Sequence, residues 1–288
     1  MSLTILLWKN LMAIASTGVD QPSTRAREKR RQALIWLNRW SYSTPDILAK
    51  ALGLQPKAGP RLAKALIERD LAIEIHSGSR AGYPKRQFNE ATGRFQVCGR
   101  YLLILSKSGK TTAMGIDNKA GAPYENPVKA PQSIGHNLMA QIFTAHMLNQ
   151  LDESGLPSYT DFATEQMLRR KSEDGVKQPD MILLDNKNRR VAIEIEVSGK
   201  NDSNGALSRA LLAVSNGIAR GDFEKLIYAF PSEEARNDYF EIWNSGRIPE
   251  FKRMGSGKYE ATGRHYPIDE RVKSRVSFIQ HDSCLSPW

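Results

Sequence analysis

Residues 178–200 read QPDMILLDNKNRRVAIEIEVSGK. A Pro-Asp pair opens an apolar run from Met181 to Leu184. A polar turn, DNKNRR, follows. A second apolar run, Val191 to Val197, carries Glu194 and Glu196 and leads to Lys200. Val191, Ile193, Ile195 and Val197 alternate strictly with Ala192, Glu194 and Glu196. That alternation predicts a strand, whose successive side chains point to opposite faces, so both glutamates share one face. Two arrangements satisfy the pattern: a hairpin whose edge strand turns a charged face to solvent, or a metal site on two adjacent strands. Neighbouring strands lie about 5 Å apart, so Asp180 and Glu194 could share a cleft where the strands diverge. Mg²⁺ takes few protein carboxylates and keeps waters for a substrate phosphate. Asp180, Glu194 and a carbonyl next to Glu194 suffice as its ligands. In that arrangement Lys200 stabilises the developing phosphorane charge, and Glu196 orients or deprotonates the attacking water. Glu165, in the upstream segment TEQMLRR, supplies a further carboxylate.

The elements around this stretch point to a mixed α/β (α+β) sheet with helical cover. IGHNLMAQIFTAHMLNQLDESG has Leu138, Ile142, Ala145 and Leu148 at helical spacing. Its histidines, His136 and His146, are read as packing or surface residues. NGALSRALLAVSNGIARG is a helix, KLIYAF a strand, SEEARNDYFEIW a helix and RVSFIQ a last strand. Strands interleaved with helices make one layered α/β unit. The polar segment GSGKYEATGRHYPIDERVKSR fits a DNA-contacting loop or a partner surface equally well.

The charge is divided unevenly. Residues 1–130 hold 21 Lys and Arg against 9 Asp and Glu, whereas residues 131–288 hold 20 against 22. A basic half joined to a near-neutral half indicates a polyanion-binding unit attached to something else. The basic half also carries an ordered pattern. AREKRRQALIWLNRW places Ala33, Leu34, Leu37 and Trp40 on one helical face. STPDILAKALGL has Ser43 or Thr44 to cap and Pro45 in the first turn. KAGPRLAKALIERDLAIEI gives a third helix that runs into a strand at Leu71–Ile75. The basic, Gly-rich HSGSRAGYPKRQF precedes another strand near RFQVCGRYLLILS. Three short helices, a strand, a basic loop and a strand predict a winged helix-turn-helix. The third helix would enter the major groove with Lys57, Arg61 and Lys64, and the wing would place Arg80, Lys85 and Arg86 on phosphate.

The expected organisation is an extension over 1–25, a winged helix over 26–107, a linker over 108–133 and the sheet unit over 134–288. The linker assignment rests on SGKTTAMGIDNKAGAPYENPVKAPQS, rich in Gly, Pro, Asn and Lys. Its SGKTT lacks the upstream glycine of a phosphate loop. Cys98 and Cys284, the two cysteines, form neither a disulfide framework nor a zinc spacing, which suits a reducing cytoplasm. The apolar N-terminus, broken by Lys9 and Asn10, is too short to span a bilayer and reads as a packed or partner-binding extension.

PD, then E-x-E 14 residues later, then Lys200, resembles the PD-(D/E)xK nuclease superfamily. There the Asp and the first acidic residue bind Mg²⁺ and the Lys assists the water. In this chain Glu196 stands at the motif's Lys position, and a Lys arrives four residues later. The whole layout, with IGHNLMAQ, TEQMLRR, QPDMILL and VAIEIEVSGK behind a winged helix, resembles plasmid mobilisation relaxases of the MobC type and the related replication-relaxation proteins over roughly residues 26–230. The resemblance implies a restriction-endonuclease-like mixed sheet and a Mg²⁺- or Mn²⁺-dependent nickase. Its partners would be double-stranded DNA at a plasmid origin of transfer and accessory mobilisation or coupling proteins. It implies Asp180 and Glu194 as metal ligands, Glu196 and Lys200 as catalytic residues, and Glu165 as an accessory acid. Two other readings stay open. One is a non-catalytic DNA-binding regulator of plasmid replication or transfer. The other is a restriction or junction-resolving nuclease.

Overall fold

The computed structural model describes residues 22–76, 101–117, 131–169, 178–196, 202, 205–255 and 258–281. The chain begins with helix α1 (Pro22–Trp40), followed by the two-residue strand β1 (Tyr42–Ser43), α2 (Pro45–Ala51) and α3 (Ala58–Ile67). Local chemistry starts α2 where the sequence suggests. The Thr44 hydroxyl accepts the Ile47 N–H, and Pro45 takes the first helical position, where its missing donor costs nothing. The apolar faces are buried: Ala33, Leu34, Leu37 and Trp40 on α1, Ile47 and Leu48 on α2, Leu62, Ala63 and Leu66 on α3. Gly59 lets α3 approach α2, since a Cβ there would meet the Pro45 carbonyl oxygen at 2.3 Å.

Strands β2 (Ala72–His76) and β3 (Tyr101–Leu105) complete an antiparallel sheet of order β1-β3-β2. The linker expected from residue 108 begins instead as helix α4 (Lys107–Ile116), capped by the Ser106 hydroxyl, which accepts the Gly109 N–H. Gly109 is what permits this helix. A Cβ there would fall 1.8 Å from the Leu71 carbonyl oxygen. Asp117 then pairs with Arg39 of α1 at 2.7 Å, both buried. Residues 118–130 of the expected linker, and residues 1–21 of the extension, lie outside the described residues.

The second half contains α5 (Pro131–Leu148), β4 (Tyr159–Thr164), α6 (Glu165–Arg169), β5 (Met181–Asp185), β6 (Arg190–Ile195), α7 (Ala206–Arg220), β7 (Lys225–Phe230), α8 (Glu233–Asn244), β8 (Arg247–Arg253), β9 (Tyr259–Pro267), α9 (Glu270–Lys273) and β10 (Val276–Gln280). Five strands form a mixed sheet of order β10-β7-β6-β5-β4. The run β4-β5-β6 is antiparallel; β6-β7 and β7-β10 are parallel. Strands β8 and β9 pair separately as a hairpin. The α/β architecture expected from the interleaved elements is therefore present.

Period-2 patterning sends β6 side chains to two cores. Val191, Ile193 and Ile195 face a cluster that includes Leu138, Ile142 and Phe143 of α5 and Trp36 and Leu37 of α1. Ala192 faces a second cluster with Leu207, Leu211, Val214 and Ile218 of α7. The first cluster joins the N-terminal helices directly to the sheet: the Trp36 ring lies 5.2 Å from that of Phe162 on β4. Polar contacts reinforce the junction. Trp36 Nε1–H donates to Gln141 of α5 at 3.1 Å, and the Thr164 hydroxyl donates to the Arg39 carbonyl at 2.9 Å. Among the described residues, no helix is long and apolar enough to cross a membrane.

Candidate active site

The register of β5 on β6 pairs Met181 with Ile193 and Ile182 with Ala192. One step beyond the ladder come Asp180 and Glu194. Here the strands part, and the Asp180 side chain takes over from the backbone. Its Oδ2 accepts the Ile195 N–H at 2.7 Å. The Asp180 carbonyl accepts the Glu165 N–H at 2.9 Å, so the first residue of α6 is tied to the same point. Oδ1 bonds His136 Nε2, on α5, at 3.0 Å. Asp180 is thus held from three elements.

His136 is half-buried and does more than the packing or surface role that the helical pattern of α5 suggested, because it bonds Asp180. Burial alone pushes its pKa down. The Asp180 hydrogen bond and the charges of Asp180, Glu165 and Glu194 outweigh burial and raise it. The charges of three carboxylates thus favour the protonated form of His136. Trp40, His136, Asn137, Thr164, Glu165 and Asp180 line a cavity of about 50 Å³ here, polar and large enough to admit water.

Glu194 and Glu196 share a face, as alternation requires, but that face is not solvent. β6 is the central strand of five, and the two side chains are only 9% and 8% exposed. The edge-strand reading is overturned by position and burial together. Glu194 stands opposite Tyr228 of β7 in the parallel ladder. The Glu196 carboxylate accepts a hydrogen bond from the Tyr239 hydroxyl of α8 at 2.6 Å. Both tyrosines are buried, and burial first, then the Glu194 charge on Tyr228 and the Glu196 hydrogen bond on Tyr239, raise their hydroxyl pKa values well above the usual range. Asp202 adds its charge near Tyr239 while its carboxylate accepts the Ser208 N–H and hydroxyl in the first turn of α7.

The fold therefore gathers Asp180, Glu165, Glu194 and Glu196 at one end of the central strands. It adds His136, Tyr228, Tyr239 and Asp202, which have no local sequence signature. His136 sits 44 residues from its partner, and a tyrosine in an amphipathic helix reads as core. Lys200, Arg80, Lys85 and Arg86 lie outside the described residues. Lys57, Arg61 and Lys64 are exposed on the outer face of α3 and its start. Lys64 approaches Glu68 at 3.8 Å with both side chains largely in water, a pair of negligible strength.

Among the described residues, no three His, Cys, Asp or Glu side chains come close enough together to hold a metal ion between them. Asp180 and Glu194 stand opposite each other one step past the β5–β6 ladder, and carboxylates are the donor type that a hard divalent cation takes, although the two line separate cavities. Comparison with family models, curated proteins and solved structures gives no match for this chain.

Proposed function

We propose that this chain is a divalent-metal-dependent DNA endonuclease that nicks one strand at a plasmid origin of transfer. Its N-terminal unit would be a winged helix-turn-helix and its five-stranded sheet a restriction-endonuclease-like core. One observation carries this reading above all: Asp180, just before β5, and Glu194 of β6 stand opposite each other one step past the β5–β6 ladder, Glu194 buried and Asp180 half-buried. The sheet that carries them shares a hydrophobic core with a basic helical unit. The order of helices and strands in that unit, with α3 presenting Lys57, Arg61 and Lys64 to solvent, supports duplex binding.

Asp180 and Glu194, with the main-chain carbonyl beside Glu194, would hold Mg²⁺ or Mn²⁺. When bound, the ion supplies Lewis-acid polarisation of a phosphoryl oxygen and a water of lowered pKa. The chain's own residues do the rest. His136 and the Ile195 N–H fix the Asp180 carboxylate. Tyr239 fixes Glu196, which orients the attacking water. Glu165 adds charge on the α6 side, and Lys200 neutralises charge developing on the phosphate. Accessory mobilisation or coupling proteins are the partners of such a nickase.

The test uses supercoiled plasmid with and without a cognate origin, in Mn²⁺, with wild type, Asp180→Ala and Glu194→Ala. Open-circular product from wild type alone is the expected result. No nicking by wild type, or equal nicking by both variants, sinks the enzyme reading and leaves a non-catalytic DNA-binding regulator. Linear product on non-cognate DNA moves the assignment to a restriction-type nuclease.

A further inference from the structure

The hairpin β8–β9 has no place in the chemistry above, yet it is the most exposed regular element described. From Glu260 to Pro267 every residue of β9 is exposed. The strands have no apolar face to bury beyond the anchor at their base. What they present is charge: over 247–267 there are five Lys and Arg against two Glu. Glu250 is occupied inside the hairpin, accepting hydrogen bonds from the Thr262 and Tyr266 hydroxyls. Glu260 stands opposite Lys252 in the ladder. Lys252, Arg253, Lys258 and Arg264 are all exposed.

The hairpin is rooted beside the acidic site. Ile248 is buried in the core that packs α7 and α8. Phe251 lies against Gly205, the residue that precedes α7. Gly205 has a φ of 69°, and a Cβ there would meet the Phe251 ring at 2.2 Å, so no other residue type fits. Arg209 of α7 lies over the Tyr259 ring at 3.6 Å. These contacts tie both strands to the first turns of α7, the helix that follows the strand carrying Glu194 and whose Ser208 bonds Asp202. A basic two-stranded ribbon has a shape that the grooves of duplex DNA admit.

From charge complementarity and this continuity with the acidic site, we infer that β8–β9 is a second DNA-contacting arm that grips the phosphate backbone of the duplex held at the site. The inference rests on the DNA reading proposed above and adds a binding surface separate from α3. Phosphate contacts position a duplex without reading its sequence, so the arm would strengthen binding to all sequences alike.

The test is fluorescence anisotropy of the full chain with a labelled duplex across a KCl series. Wild type, K252A/R253A/R264A and K57A/R61A/K64A are compared. All six residues are exposed, so thermal midpoints should match wild type. The hairpin variant is expected to bind about tenfold more weakly, with a log K against log salt slope shallower by roughly 0.9 for each phosphate that the arm no longer neutralises. Duplex should also protect Lys252 and Lys258 of wild type from an amine-reactive label. Unchanged affinity and slope, with unprotected lysines, overturn the arm while wild-type binding keeps the DNA reading intact; such a surface would then suit a protein partner. Failure of wild type to bind any duplex removes the DNA reading and the arm with it.

Discussion

Tyr239 donates its hydroxyl proton to Glu196 across 2.6 Å, from a helix to the central strand, with both side chains buried. A buried carboxylate that loses a donor stays desolvated without full compensation, which costs about 1–3 kcal/mol. Tyr239→Phe is therefore expected to lower stability by that amount in urea denaturation. If Glu196 orients the attacking water, single-turnover nicking should also fall by about an order of magnitude, with duplex affinity unchanged. Wild-type nicking rates in a folded Tyr239→Phe protein would separate the hydrogen bond from catalysis.

His136 holds one oxygen of Asp180 while the Ile195 N–H holds the other. Partners of a ligating carboxylate orient it, and their removal typically weakens metal affinity by about 10–100-fold. If Asp180 ligates the metal as proposed, His136→Ala should raise the Mn²⁺ concentration needed for half-maximal nicking by that factor, with the rate at saturating Mn²⁺ changed far less. A metal titration curve identical to wild type would show that Asp180 needs no such support.

Arg39 is the polar keystone between the N-terminal helices and the sheet. It is 4% exposed and bonds Asp117, Asp161 and the Phe162 carbonyl, with its guanidinium over the Phe162 ring at 4.9 Å. Removing one partner from a buried ion cluster leaves uncompensated charge and costs about 3–5 kcal/mol. Arg39→Met should destabilise by that amount, and R39M/D117N/D161N should recover a large part of it because no charge remains. A destabilisation under about 1 kcal/mol for Arg39→Met would mean that the cluster is solvated in solution.

These contacts mark where the sequence stopped being readable. The alternation in β6 placed Glu194 and Glu196 on one face, but period 2 reads alike for an edge strand and for a central strand with an acidic end. Only the pairing of β6 with both β5 and β7 decides between them. β4 was not evident because the inward positions of YTDFAT are Thr160, Phe162 and Thr164. The hydroxyl of Thr164 is satisfied by a carbonyl rather than by apolar packing, so the hydrophobic signal is weak. Helix α4 was hidden by glycine and hydroxyl residues, although Gly109 serves its close approach to Leu71. Strand β9 lies within a segment read as polar because Glu260 to Pro267 are all exposed and carry no alternating apolar face.

His146 and His136 act on stability with opposite signs as pH falls, and the His146 part is destabilising. Burial first, and then the charge of Lys50, lower its pKa below the ordinary histidine value, and its ring meets that of His281 edge-on at 4.8 Å. The unfolded chain then takes up a proton at a pH where the folded chain still declines it. His146 is therefore without penalty above the unfolded pKa of about 6.5, and stability falls as pH drops from there toward the folded pKa. Urea midpoints at a pH above that value and at one below it should differ in wild type. In His146→Gln, which cannot titrate and retains polar character beside Gln150, the difference should shrink. An undiminished difference in His146→Gln would assign the acid limb to the carboxylates, whose contribution is lost at lower pH.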